Sequence, residues 1–468
     1  MIDKNLKKGE VLSKNLNYYC EKTAEILKNK KVDEWEIYAA SYSHNEIEIS
    51  KSDIENLSFA DTSGIGIRIF KNKRVGYSYT SNLEKDALEL SVNKAIENAL
   101  VSNKDDNNYL PKEEEFLYDF KKIDLKSLYS ENFSKFSLDE KINLLKDLEN
   151  LAFKKDKRIV SISNLIYEDS ISEVFILNSN NFRGGFKTTS AFIYLGVIAQ
   201  SDNDLSTGDY FDFKRDPENI NIENIADEAV KKSTILLGAK KIKSVKTNLI
   251  LDRYVGAQFL QVISSLTSAD AVQKNKSLFK DKIGKKIFAE GINIIDDGIM
   301  DNGMATQPFD DEGVPKGKTI IFNDGILTNY IYNSLTARKD KVKTTGNAVR
   351  SSYKSLPEIG ISNFYLENGR NTFDELLKEV KSGFYVLDVI GLHSGINPIS
   401  GQISVGAKGI WIENGDFAYP VKEVTIATDI LSFCKSLIYT GNDLKFFPVG
   451  GYVGCPTLVF CDITVSGL

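Results

Sequence analysis

Two histidines, His44 and His393, are all the imidazole this 468-residue chain holds, and that poverty constrains its chemistry more than any motif does. A zinc hydrolase of the His-Glu-x-x-x-His kind needs two imidazoles about one helical turn apart on one face, with a carboxylate beside them as general base. The chain cannot build that set. A single histidine acting as general base, or carboxylates gathered around a harder metal, stays chemically open. His393 has Ser394 beside it and Ser400 and Ser404 nearby, so acyl transfer must be weighed. No Gly-x-Ser-x-Gly elbow occurs, because the serines sit in Leu-His-Ser-Gly-Ile and Pro-Ile-Ser-Gly-Gln, and triad partners must also meet in space. A loop histidine that hydrogen-bonds a turn or contacts a ligand fits better. His44, in a strand-like stretch, reads as a half-exposed sheet residue.

Two further segments could carry chemistry. Asp310, Asp311 and Glu312 stand before Gly313 and Pro315. Adjacent residues in a turn diverge, so the choice lies between a cation or peptide-amine contact and solvated turn chemistry, and composition favours the turn. From Asp388 to Asp429, glycines at 391, 395, 401, 406, 409 and 415 alternate with small polar residues. Such density lets a ligand's main chain approach closely, as in recognition by strand addition, but tight turns between barrel strands explain it equally well. Asn323-Asp324-Gly325 between apolar runs is a hairpin signal and is given a structural role.

These segments need a scaffold, and the chain has material for one. Hydrophobic residues make up 42% and charged residues 26%, which is ordinary for a folded protein, and the length calls for two or three units. Glu46 to Ser50, Ile65 to Phe70 and Val75 to Tyr79 alternate as strands, with Lys71 to Arg74 as the turn. Ser81 with Glu84 is a capping-box signal for a helix over about 83–100, and Ser137 with Glu140 repeats it. The acidic, Asn-rich stretch 103–116 between them reads as a linker. Residues 158–200 read as antiparallel strands with turns at 178–181 and 183–185. Residues 222–237 look helical, Gly238 to Lys246 marks the main boundary, and a glycine-punctuated β region follows. One helix interrupts that region, opened by Thr372 and Glu375 and stopped by Gly383. The expected class is α+β: N-terminal α/β-layered subdomains over 1–115 and 116–238, then a mostly antiparallel β domain over 239–468.

Net charge is -6, so nothing favours a nucleic-acid partner. Four cysteines without CxxC spacing read as reduced thiols. Neither a leader after the N-terminal lysines nor a run of 18 apolar residues is found, so no membrane contact and a cytoplasmic location are expected.

Several long, ordered segments resemble the TldD/PmbA family, and specifically its PmbA (TldE) branch: SGIGIRIF, KSLFKDKIGKKI, PFDDEGVPK, DGILTNYIYNSLTARK, TTGNAVR, HSGINPISGQISVGAKGIWIENGDFAYPVKEVTIA and GND. In the family's catalytic branch a helix opening the C-terminal domain carries His-Glu-x-x-x-His, and a cysteine near the C-terminus completes the zinc site. The corresponding helix here, LDRYVGAQFLQVISSL, has neither histidine nor glutamate, and the cysteine's place reads Gly441-Asn442-Asp443. The resemblance therefore implies a metal-less subunit, with no cofactor and no catalytic residue of its own. Its TldD-like partner would cleave small or unfolded peptides, including in maturation of modified peptide antibiotics and turnover of antitoxin-like proteins. The substrate would thread as an extended chain. His393, Ser394, Asn397, Ser400 and Ser404 are expected to bind it or to line the subunit interface. Asp310, Glu312, Arg338 and Asn347 lie in family-like segments where an ion pair or a turn cap serves equally well. Without the partner, a homodimer is expected. A homodimeric peptide-binding scaffold and a peptidase using a carboxylate-bound metal are the competing readings. An older family link to DNA gyrase modulation finds no support in the acidic balance.

Overall fold

The computed structural model describes residues 16–121 and 124–467. The N-terminal residues 1–15, part of the stretch in which no leader was found, lie outside the described residues.

The N-terminal half is built on one six-stranded sheet, in the order β3-β2-β1-β4-β5-β6. Its strands are β1 (Glu34–Ser50), β2 (Asp53–Lys71), β3 (Arg74–Thr80), β4 (Ile159–Asn178), β5 (Arg183–Ser201) and β6 (Asp204–Lys214), all paired antiparallel. Residues 1–115 and 116–238 thus contribute three strands each to a single sheet. Helices α1 (Leu16–Lys28), α2 (Lys85–Val101), α3 (Leu138–Lys155) and α4 (Ile222–Ile235) cover one face. Period-2 alternation explains which face: Ile65, Ile67 and Ile69 of β2 are buried with Leu88, Val92 and Ala95 of α2, while Gly64, Gly66 and Arg68 point the other way.

In the C-terminal half come β7 (Val245–Leu251), α5 (Arg253–Leu266), α6 (Ala269–Gln273), β8 (Ile294–Asp297), β9 (Lys318–Asn323), β10 (Ile326–Leu327), α7 (Ser334–Asp340), β11 (Ala348–Val349), β12 (Glu358–Ile359) and β13 (Asn363–Leu366). Then follow α8 (Phe373–Val380), β14 (Gly383–Ile390), α9 (Leu392–Gly395), β15 (Gln402–Glu413), β16 (Asp416–Asp429), α10 (Ile430–Ser436), β17 (Leu437–Thr440), β18 (Lys445–Pro448), β19 (Tyr452–Cys455) and β20 (Leu458–Ser466). Twelve of these strands form two six-stranded sheets, β10-β9-β8-β13-β19-β18 and β16-β15-β14-β7-β20-β17, with an extra β16–β20 pairing in the second, and β11 and β12 pair as a two-stranded sheet. Pairing is antiparallel except β13 with β19 and β14 with β7. The apolar face of α5 is buried in the core the two sheets share. The α+β expectation holds. Among the described residues no helix is long and apolar enough to cross a membrane.

Several local readings need correction. The capping box at Ser81 and Glu84 does not form: Asn82 Oδ1 accepts from Glu84 N at 3.0 Å, and this turn delays α2 to Lys85 with no side-chain cap. The boxes at Ser137–Glu140 and Thr372–Glu375 do form. Gly383 does not stop α8; Lys381, at φ 56, does so, and Gly383 opens β14. Residues 183–185 are not a turn but the start of β5, where Gly184 and Gly185 make room for the rings of Phe309 and Phe175. The turn at 178–181 is real and is held by Asn178 Oδ1, which accepts from Asn180 N at 2.9 Å and Phe182 N at 3.1 Å. Stretch 103–116 is no free linker, as Arg338 of α7 clamps it: Nη1 donates to Asn107 O at 3.0 Å and Tyr109 O at 2.8 Å, and Nε and Nη2 grip Glu115.

Candidate functional site

Beyond β14 the chain passes Gly391 at φ 77, makes the short α9 and returns along β15. The loop encloses an open cavity of about 450 Å³ lined by Ile390, Gly391, Ser394, Gly395, Asn397, Gln402 and Ser404. Three of the residues expected to bind, Ser394, Asn397 and Ser404, therefore come together, and Ser400 stands outside the lining. Asn397 spends its side-chain oxygen on the turn, accepting from Ile399 N at 2.9 Å and Ser400 N at 3.0 Å. Ser394 Oγ donates to Gly391 O at 3.2 Å. The backbone of His393 lies in α9, and its side chain lies outside the described residues. Gln402 was not singled out from sequence, yet the signal existed: Gln402, Ser404 and Gly406 alternate with the buried Ile403, Val405 and Ala407, which turns their face toward the cavity.

Helix α5 is where the sequence places the family's zinc helix. Asp252 caps it, accepting from Tyr254 N at 3.0 Å. Its inner side carries Val255, Gly256, Phe259, Leu260 and Ile263, all buried, and a Cβ at Gly256 would come 2.6 Å from Cys455 Sγ. Burial, with Asp443 and Asp252 adding to it, pushes the Cys455 thiol well above its usual range, and Sγ is 3.1 Å from Pro456 O. Asp443, in the segment matched to the ligand cysteine, accepts from Thr457 N and Oγ1 at 2.8 Å each and lies 3.8 Å from Arg253 Nε. Helix α5 carries no histidine, cysteine or carboxylate, and one buried thiol beside it does not make a tetrahedral zinc site. Among the described residues no group of three or more His, Cys, Asp or Glu side chains has the geometry to hold a metal.

The other side of α5 meets the open face of the N-terminal sheet through aromatic rings. Phe211 of β6 lies 5.4 Å from Tyr254 and 6.1 Å from Phe447, and Phe213 lies 6.2 Å from Tyr452. Two lysines sit over the Tyr210 ring, Lys445 at 4.4 Å and Lys232 at 5.3 Å. Burial lowers the Lys445 ammonium from its ordinary range, and nearby Arg253 acts in the same direction.

The carboxylate turn is not solvated, as its composition led one to expect. Asp310 is 0% exposed, Asp311 9% and Glu312 4%. Asp310 folds the turn, its Oδ1 accepting from Glu312 N at 2.9 Å and Val314 N at 3.0 Å and its Oδ2 from Ala348 N at 2.9 Å. Glu312 meets Arg68 of β2 at 2.8 Å and Ser334 N at 3.0 Å. Arg68 also reaches Glu36 of β1 at 2.6 Å, and Glu36 pairs with Arg350. Asp311 accepts from Tyr38 Oη at 3.2 Å and Arg350 N at 2.6 Å. Burial and the neighbouring Glu312 push Asp310 up to about 8. Burial raises Glu312 too, but Arg68 outweighs it and holds that carboxyl below its ordinary value. The turn is thus one half of an ionic joint between the N-terminal sheet and the C-terminal half. Asn347 belongs to the same layer, donating to Asp296 Oδ2 at 2.6 Å and Gly360 O at 2.9 Å.

Comparison with known proteins covers nearly the whole chain. Residues 35–99, 131–237 and 244–467 match the first, central and C-terminal domains of the PmbA/TldA metallopeptidases. Metalloprotease PmbA of Escherichia coli O157:H7 is 25% identical over 95% of each chain, and a metalloprotease of Methanocaldococcus jannaschii is 28% identical over 88% of this chain and 92% of its own. A proposed DNA gyrase modulator of Thermotoga maritima superposes with TM-score 0.87 at 27% identity, over 96% of this chain and 100% of its own. TldE of Thermococcus kodakarensis, at 21% identity, shares the fold with TM-score 0.83 over 96% of this chain and 99% of its own.

Proposed function

The chain belongs to the PmbA/TldD metallopeptidase family, and from that premise we propose that it is a metal-less, TldE-like subunit that holds an extended peptide for a TldD-like catalytic partner in the cytoplasm. The observation that carries this reading is α5: the helix where the family's zinc would sit offers an apolar inner face with neither histidine nor glutamate on it. Its own residues would therefore bind and orient. The cavity between α9 and β15 gathers Ser394 of α9, Asn397 of the connecting loop and Gln402 and Ser404 of β15, with His393 in α9 and Ser400 in that loop. An extended substrate would be held by the polar side chains and main chain of this loop, since β15 itself already lies between β14 and β16, and contacts to a substrate's backbone give affinity with little dependence on side-chain identity. Peptide maturation and turnover of small or unfolded proteins follow as roles of the assembled pair, and a homodimer as the state when the partner is absent.

The test is metal content by mass spectrometry on the pure chain, with a peptidase assay with and without a TldD-like partner. Metal-free protein that raises cleavage only in the partner's presence supports the reading. A stoichiometric metal together with activity of the chain alone overturns it.

A further inference from the structure

Strand β2 pairs with β1 along its whole length but with β3 only from Ile65 to Lys71. Among the described residues the outer edge from Asp53 to Ser63 carries no strand, and at about 3.3 Å per residue it runs for about 36 Å. Ile54, Leu57 and Phe59 on it are 47%, 38% and 51% exposed. Proteins blunt open edges against unwanted pairing with charged side chains, above all lysine, and with proline, bulges or short strands. This edge is long and has neither lysine nor proline, and the one bulge in the pair lies at Glu48/Ile49, near the hairpin tip.

Its charge is also one-sided. Asp53, Glu55 and Asp61 stand on the edge, with Glu46 and Glu48 on the adjoining strand. Between Tyr42 and Thr62 the only ion pair on these two strands, among the described residues, is His44 Nε2 to Glu46 Oε2 at 4.0 Å. Glu46 also lies directly across from Glu168 of β4, an unfavourable like-charge pair. Burial raises the Glu168 carboxyl, and Glu46 adds to the rise.

We infer that this edge receives an extended, lysine- or arginine-rich segment of a different polypeptide by strand addition. The unpaired backbone fixes the partner's conformation, the exposed apolar residues supply contact, and the uncompensated acids fix its charge. A second copy of the chain is the wrong occupant, because self-pairing would set two acidic edge segments, neither with a lysine or arginine between Asp53 and Ser63, side by side. The site is separate from the cavity at α9 and β15, so it stands whether or not peptide binds there.

The experiment measures fluorescence anisotropy of labelled dodecapeptides alternating Lys with Val or Glu with Val, at low and moderate salt. The wild-type chain and the triple variant Asp53→Lys/Glu55→Lys/Asp61→Lys are compared, and unchanged thermal unfolding certifies the variant's fold. A Lys peptide N-methylated at alternate residues tests for backbone pairing. Expected are at least tenfold tighter binding of the Lys peptide over the Glu peptide, reversal of that preference in the variant, and loss of binding on N-methylation. Equal binding to both chains, or N-methylation without effect, overturns the inference. So does a symmetric Ser58→Cys cross-link between two copies in solution.

Discussion

Replacing Arg68 with methionine removes the guanidinium that ties β2 to the carboxylate turn while keeping most of the side chain's volume. Arg68 sits 2.6 Å from Glu36 and 2.8 Å from Glu312, with side-chain exposures of 7%, 1% and 4%. Glu36 keeps Arg350. Glu312 keeps only the Ser334 amide and is left as a buried charge beside Asp310. Breaking a buried pair in this way costs about 3–5 kcal/mol. The pH dependence follows from the same geometry. In the wild type Arg68 holds Glu312 below its ordinary value against the opposing effect of burial, so its contribution is present above the unfolded value and lost as pH falls through the folded one. In the variant, burial is opposed only by the Ser334 amide and the more distant Arg338, and the folded value rises. The deficit is then largest near neutral pH and shrinks as acid protonates Glu312. Adding Glu312→Gln should recover about 2 kcal/mol, because an amide costs far less to bury than an uncompensated carboxylate. Urea unfolding read from Trp35 in β1 and Trp411 in β15, the two tryptophans, would report both halves of the molecule. A deficit under about 1 kcal/mol, a gap that does not change with pH, or no rescue by the second substitution would refute the account of the turn as an ionic joint.

Three further outcomes are expected. With its folded value raised to about 8, Asp310 contributes stability that is present in acid and is lost as pH climbs from its unfolded value toward 8. Asp310→Asn removes that titration, so the wild type's advantage over the variant should narrow across pH 5 to 8, and a constant difference would contradict it. Arg338→Ala frees Glu115 and two carbonyls; a loss of about 3 kcal/mol should accompany faster proteolysis within 103–116, and an unchanged cleavage rate would count against the clamp. Gly66→Ala sets a Cβ 2.5 Å from Tyr353 O, so destabilisation of about 1–3 kcal/mol should appear in the melting temperature, and a neutral result would mean that β2 and the Tyr353 loop can separate freely.

Much of the scaffold was legible because its signals are local. Alternation in Ile65, Ile67 and Ile69 gives β2 and its buried face. The boxes at Ser137 and Thr372 open α3 and α8, and Asp324 and Gly325, at φ 51 and 75, make the tight turn their dipeptide calls for. Where a second local option competed, reading failed: Asn82 outbid Ser81 as the turn residue, and Gly184 and Gly185 serve rings that arrive from elsewhere in the chain.

By itself the sequence determined the α+β class, the family, the shortage of imidazole and the absence of zinc donors from α5, since each follows from residue type and near spacing. Only the tertiary structure decided that Asp310, Asp311 and Glu312 are buried, because their partners Arg68 and Tyr38 lie 244 and 273 residues away. Burial, and with it the strength of any charge, depends on what the rest of the chain packs over a group. The same holds for the open edge of β2: whether a strand has a neighbour depends on where β3 ends, which no residue of β2 records.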